Sequence, residues 1–393
     1  MRVRGAVLTV VVLSAIVGAG SSQAVVGAPR PPLRDLAARV PLRIGATLGP
    51  DQIADPEYAG TLAREFNSVT PENAMKWYSI QSTRGTFDFT GADAIVAFAE
   101  AHSMEIRGHN LIWANDQYTP AWVKAITDPD ELRAVVQEHV RTVLEHFRGH
   151  VHRWDVVNEP LDTFGTGPAD TVFSRVLGAD WVTEVYRYAH QVDPTIELWI
   201  NEFGTDYLPA KQARLLGLAR HLLAAGVPLT GIGVQTHRIS VDGPDRAAFE
   251  RMLRQFAALG LQVAITEADV RVLPDDPHGL TRQAAAYRTI VSSCLAVPAC
   301  REVTFWGVTD RDSWLNADAS IRQPPRPLLF DDAFAPKPAY DAVAEVLEAG
   351  RAGATTTTTA PVTPTATSTS SGPEPATAPV PATPLPATPT FTG

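Results

Sequence analysis

The chain is short of three things, and each shortage removes a class of protein. No basic run follows the first few residues and the net charge is -10, so nucleic acid is not an expected partner. After the opening segment no apolar run approaches the about 20 residues that a membrane-spanning helix needs. Only two cysteines occur in 393 residues, and without a histidine cluster beside them they make no zinc site.

The two ends read differently from the middle. Arg2 and Arg4, an apolar run from Ala6 to about Gly18, and small residues up to Ala24 or Ala28 describe a secretory signal peptide over residues 1–28. From about Gly350 the composition collapses to Thr, Pro, Ala and Ser, with Thr355 to Thr359 unbroken. Residues 350–393 are therefore expected to form an extended, disordered linker or tail open to O-glycosylation. The mature protein is expected to be extracellular and a monomer. Export permits a disulfide between Cys294 and Cys300, closing a small loop at the end of a helix; the other reading is two buried thiols.

Residues 29–349 carry one pattern throughout. Strands are expected at 42–46, 67–70, 105–113, 154–158, 197–201, 231–235, 263–270 and 303–307. Helical segments follow them, the clearest from Asp130 to Phe147 with Leu132, Val135, Val136, Val140, Val143 and Leu144 on one stripe. Eight strand-then-helix repeats imply an α/β fold, a TIM (β/α)8 barrel with an all-parallel sheet closed on itself. Trp154 reads as core.

Two of these strands end on glutamates. Trp154–Pro160 is an apolar-rich run closing on Asn158 and Glu159, then a proline that cannot continue a ladder; Val263–Val270 delivers Glu267. One surface glutamate would be unremarked. Two carboxylates on separate strand ends are the minimum for cleaving a glycosidic bond: one protonates the leaving oxygen while the other, ionised, attacks or activates water. In a barrel the active site lies at the C-terminal ends of the strands. The polar and aromatic residues Glu72, Asn73, Lys76, His109, Asn110, Trp113, Gln235, His237, Trp306 and Trp314 gather there with the two glutamates.

Trp154-to-Pro160, Gly231-Ile-Gly-Val-Gln-Thr-His237, Ile265-Thr-Glu-Ala-Asp269 and Trp306-Gly-Val-Thr-Asp310 resemble glycoside hydrolase family 10, whose members are mostly endo-β-1,4-xylanases. Val69–Trp77, Arg107–Trp113, Phe173–Gly178 and Lys337–Tyr340 extend the likeness along the barrel. The resemblance implies that Glu159 is the acid/base and Glu267 the nucleophile, with retained anomeric configuration, which needs carboxyls about 5–5.5 Å apart. It implies that Asn158 donates to the sugar 2-hydroxyl and that His237, itself held by Asp269, orients Glu267. Glu72, Asn73 and Lys76 match residues bonding a sugar one unit further out; as a bare pattern they are also a solvated helix start. His109, Trp113, Trp306 and Trp314 match residues around the sugars, with core packing as the other reading for a tryptophan. Xylan or a related hemicellulose is the expected substrate, and no metal or organic cofactor is implied.

Three stretches depart from the family pattern. Ala114-Asn-Asp-Gln117 stands where His-Ser-Gln is usual, with Pro120 late, so Gln117 either replaces the usual sugar-binding glutamine or falls short of it. Asn201-Glu-Phe-Gly204 stands for Asn-Asp-Tyr-Asn, losing two hydrogen-bonding groups near the leaving-group side. Arg311 and Asp312 also differ. The competing functions are a barrel of the same type cleaving another β-linked glucan, and a non-catalytic carbohydrate-binding barrel.

Overall fold

A computed structural model describes residues 30–238, 243–272, 276–317, 321 and 323–355. The expected leader, and the tail beyond Thr355, lie outside these residues. The eight principal strands are β1 Arg43–Leu48, β2 Ser68–Pro71, β3 Glu105–Trp113, β4 Arg153–Asn158, β5 Glu197–Glu202, β6 Leu229–Val234, β7 Gln262–Val270 and β8 Cys300–Phe305. Each pairs in parallel with the next, and β8 returns to β1 with Arg43 beside Glu302 and Ala46 beside Phe305, so the sheet closes. A two-residue piece, His237–Arg238, pairs with the far end of β7 and sets His237 opposite Asp269.

The crossover helices follow the apolar stripes read from the sequence. The longest early one, Pro129–His146, starts where the Asp128 side chain accepts from the Glu131 amide and proline occupies the first turn. It buries Leu132, Val135, Val136, Val140, Val143 and Leu144 against the barrel. Helix Gly279–Leu295 buries Ala286, Tyr287, Ile290, Val291 and Cys294. The last helix runs Pro338–Thr355, past the expected start of the tail at Gly350. Cys294 and Cys300 form the expected disulfide, joining the end of Gly279–Leu295 to the start of β8.

The barrel interior is not only aliphatic. Arg107 is fully buried and grips Asp155 through two bonds of 3.1 and 2.6 Å, while its guanidinium lies 4.6 Å from the Trp199 ring. Arg153 reaches Glu302 at 2.6 Å. Glycines make room for the indoles of this layer: a Cβ at Gly231 would stand 2.6 Å from Trp199, and one at Gly108 would stand 2.4 Å from Trp154. Trp154 is core, fully buried. These charged layers fill the lower barrel and leave the other end to the site.

Candidate active site

Glu159 follows the last residue of β4, and its backbone turns into the left-handed region at φ 56. Thr236, just past β6, does the same at φ 62. Such backbone costs on the order of 1–3 kcal/mol and persists where surrounding bonds impose it. Here the imposing bonds are visible: the Glu159 amide donates to Asn201 O at 2.9 Å, and the Glu267 amide donates to Gln235 O at 3.0 Å.

The two glutamates are joined by a chain of amides. Gln235 Nε2 donates to Glu159 Oε1 at 3.0 Å and to Asn158 Oδ1 at 3.4 Å. Asn201 Nδ2 donates to Asn158 Oδ1 at 2.8 Å and to Glu267 Oε1 at 2.6 Å. Asn201 is itself oriented, because its oxygen accepts from Thr266 Oγ1 at 2.6 Å. With two donors on its oxygen, Asn158 donates from its NH2 group to Glu159 Oε1 at 3.3 Å. Asn201 was not among the residues singled out from the sequence. It lies in a strand-end run that departs from the family pattern, and only the closure of the sheet shows that it bridges β4 and β7.

His237 sits between two carboxylates, with Nε2 3.0 Å from Glu267 Oε2 and Nδ1 2.9 Å from Asp269 Oδ2. Burial works against a charged ring, but the charge and hydrogen bond of Asp269, joined by those of Glu267, hold the imidazole well above its ordinary range. It is therefore an imidazolium donating from both nitrogens. Asp269 in turn accepts from Trp314 Nε1 at 2.7 Å. Burial alone would raise Glu267; the His237 hydrogen bond and the nearby His109, His237 and Lys76 outweigh it and hold the carboxyl below its ordinary value. Glu267 is kept ionised.

Lys76 is buried and lies 4.6 Å from the Trp113 ring and 6.0 Å from that of Trp306. Burial lowers the ammonium below its usual range against the pull of Glu267, Glu72 and Glu159. Glu72 is pushed up by burial and by Glu267, with Lys76 opposing. Asn73 is exposed, and its Oδ1 accepts from Lys76 Nζ at 3.1 Å and Tyr78 Oη at 2.8 Å. His109 hydrogen-bonds Asp155 at 3.0 Å and meets Trp306 edge-on at 5.3 Å. Trp306 is nearly buried, whereas Trp314 is exposed along one face.

A family model described as Glycosyl hydrolase family 10 matches residues 32–346. The chain belongs to glycosyl hydrolase family 10. Among its family 10 relatives, endo-1,4-beta-xylanase A of Phanerodontia chrysosporium is 37% identical over 311 residues, 78% of this chain and 74% of that one. Endo-1,4-beta-xylanase B of Thermotoga neapolitana is 36% identical over 324 residues, 81% and 92% of the two chains. The crystal structure of native xylanase 10B from Thermotoga maritima superposes with a TM-score of 0.77 at 36% identity, covering 82% of this chain and 99% of that one.

Within this family 10 barrel the departing stretches have definite places. Gln117 is exposed, while Asp116 is tied down, accepting from Val172 N at 2.9 Å and from Arg175 at 2.5 Å. Glu202 is fully buried against Lys211 Nζ at 2.9 Å, and burial pushes its carboxyl up to about 8. Phe203 lines the wall next to Glu159. Arg311 reaches Asp55 and Asp312 at the surface and stacks on Phe334. No helix among the described residues is long and apolar enough to cross a membrane. No group of three or more metal-ligating side chains occurs among them.

Proposed function

We propose that the protein is a secreted endo-1,4-β-xylanase that cleaves internal xylosidic bonds by double displacement. Glu267 attacks the anomeric carbon as the C1–O bond breaks, and Glu159 passes its proton to the departing oxygen. Glu159, now a carboxylate, takes a proton from water, the water oxygen bonds to C1, and Glu267 leaves ionised. The product keeps its β configuration.

The observation that carries this reading is the unequal treatment of the two glutamates. Glu267 has four neighbours that favour its charge: the imidazolium of His237, His109, the Asn201 amide and Lys76. That is the environment a nucleophile needs. Glu159 receives amide donors alone, from Gln235 and Asn158. The NH2 of Asn158, beside Glu159, suits a sugar 2-hydroxyl, a contact that strengthens in an oxocarbenium-like transition state. Lys76, Asn73 and Glu72 supply hydroxyl partners one sugar further out, and Trp306 and Trp314 supply flat apolar faces for C–H bonds.

The substrate reading draws on the relatives named endo-1,4-beta-xylanase, and export is read from the leader-like residues 1–28. A sugar without the C5 hydroxymethyl fits beside a nearly buried Trp306 where glucose would meet it. The test is reducing-sugar release from xylan against carboxymethylcellulose, with proton NMR of the first product formed from a linear xylo-oligosaccharide. Faster release from the cellulose would overturn the substrate, and an initial α-anomer would overturn the double displacement.

A further inference from the structure

The run Asn201–Gly204, one of those that depart from the family pattern, buries a glutamate–lysine pair behind the acid/base. Glu202 Oε1 stands 2.9 Å from Lys211 Nζ, and both side chains are closed off from solvent. Lys211 lies in the first turn of the helix Pro209–Ala224. Its Nζ also faces the Phe203 ring, 3.0 Å from the centroid. Gly204 turns the chain at φ 73, and a Cβ there would stand 3.6 Å from Lys211 Cδ. Glutamate, phenylalanine and glycine thus wrap one buried lysine. Burial works against both charges, and each partner supports the other's. The charge of Glu159 bears on both members, and that of Asp162 on Lys211.

The pair reaches the acid/base through the backbone. Glu202 Oε2 accepts from Leu161 N at 3.1 Å, while Oε1 accepts from Phe203 N at 3.0 Å. Leu161 is two residues past Glu159, and Pro160 between them has no N–H to give. The Glu159 amide itself donates to Asn201 O at 2.9 Å. The turn from Glu159 to Leu161 is therefore pinned to β5 at both ends, and within it Glu159 takes its left-handed φ of 56. The loop that follows rests on the same lysine: at Gly165, φ 73, the Lys211 backbone occupies the place a Cβ would need.

We propose that Glu202 and Lys211 are positioning residues for the acid/base: the buried pair holds the Glu159–Leu161 turn against β5 and so fixes the line along which Glu159 passes its proton to the departing oxygen. Left-handed backbone at a residue other than glycine persists only where its surroundings over-determine it. Proton transfer tolerates little displacement, because donor and acceptor must stay within hydrogen-bond reach. This inference rests on Glu159 being the acid/base of the reaction proposed above.

The test compares kcat/KM on two aryl β-xylobiosides that differ only in the leaving phenol. A 2,4-dinitrophenolate departs without a proton, whereas an unsubstituted phenolate needs one. Glu159→Gln sets the scale, with a large loss on the phenyl substrate and little on the dinitrophenyl one. Glu202→Gln must turn an N–H toward a group that already donates, Leu161 N on one side or Phe203 N and Lys211 on the other. It is expected to lower kcat/KM on the phenyl substrate about 10–100-fold and on the dinitrophenyl one at most about threefold. Lys211→Met should separate the two substrates in the same sense. Where a single variant fails to fold, the E202Q/K211M double variant leaves no lone buried charge and is expected to show the same split. In the unaltered protein the Leu161 amide should exchange its hydrogen at least about 100-fold more slowly than an open amide. Equal losses on both substrates, no loss on the phenyl one, or a Leu161 amide exchanging at the open-chain rate would overturn the positioning role while leaving the double displacement intact. If Glu159→Gln does not separate the substrates, or the unaltered protein cleaves neither, the proposed reaction itself fails and this inference falls with it.

Discussion

The lower barrel and its mouth both bury carboxylates, and they treat them in opposite ways. Below, Asp155 and Glu302 are met by Arg107 and Arg153, guanidiniums that never give up their charge. Burial there would raise both acids, but the arginines outweigh it and hold them below their ordinary range. Above, Glu159 and Glu267 meet amides and one imidazole. Amides orient a carboxylate without neutralising it, and an imidazole bond can rearrange. What a buried acid is paired with decides whether it is fixed as part of the wall or left able to react. His109 touches both regions, bonded to Asp155 below and lying near Glu267 and Trp306 above.

The sharpest way to break this comparison is to alter one carboxylate at the mouth. Glu267→Gln keeps the shape and removes the charge, and kcat on xylan should fall about 10⁴-fold or more. If the unaltered protein binds xylan with turnover no better than this variant, it is a carbohydrate-binding barrel.

The converse change is Arg107→Ala, which strands Asp155 without its partner. Urea unfolding should show a loss of about 3–5 kcal/mol. A loss under 1 kcal/mol would mean that the lower layer is no more than filler.

His237→Asn removes the cation beside Glu267 and should lower kcat about 10–100-fold, with the acid limb of the kcat/KM profile moving to higher pH. Stability carries the matching signs. Glu267, held below its ordinary 4.5, contributes fully above that pH and loses its contribution as the pH falls through its lowered value. His237, held above its ordinary 6.5, contributes fully below that pH and loses its contribution as the pH rises through its raised value. The pair therefore stabilise together between pH 4.5 and 6.5, and the falls in midpoint below and above that window should flatten in the variant. An acid limb that stays where it was would leave His237 as packing.

The smallest effect belongs to the outside of the barrel. Arg141 and Glu145, one helical turn apart at 3.1 Å and both half exposed, should contribute about 0.3–0.5 kcal/mol. Arg141→Ala marks the scale against which the buried pairs are judged.

The sequence on its own pointed to eight strand-then-helix repeats and to both glutamates, because each follows from a local signal: a buried run ending in a polar residue, or an apolar stripe at helical spacing; His237 with Asp269 and the Lys76 trio came from the likeness to glycoside hydrolase family 10. It located β3 at Glu105–Trp113 to the residue, since apolar residues and flanking turns mark both of its ends. It did not single out Asn201, Glu202 with Lys211, or the layer of Arg107, Arg153 and Glu302. These are polar or charged residues whose partners lie on other strands, and no spacing along the chain brings them together. Their roles come from closure of the sheet, which sets β4 beside β5 and β8 beside β1.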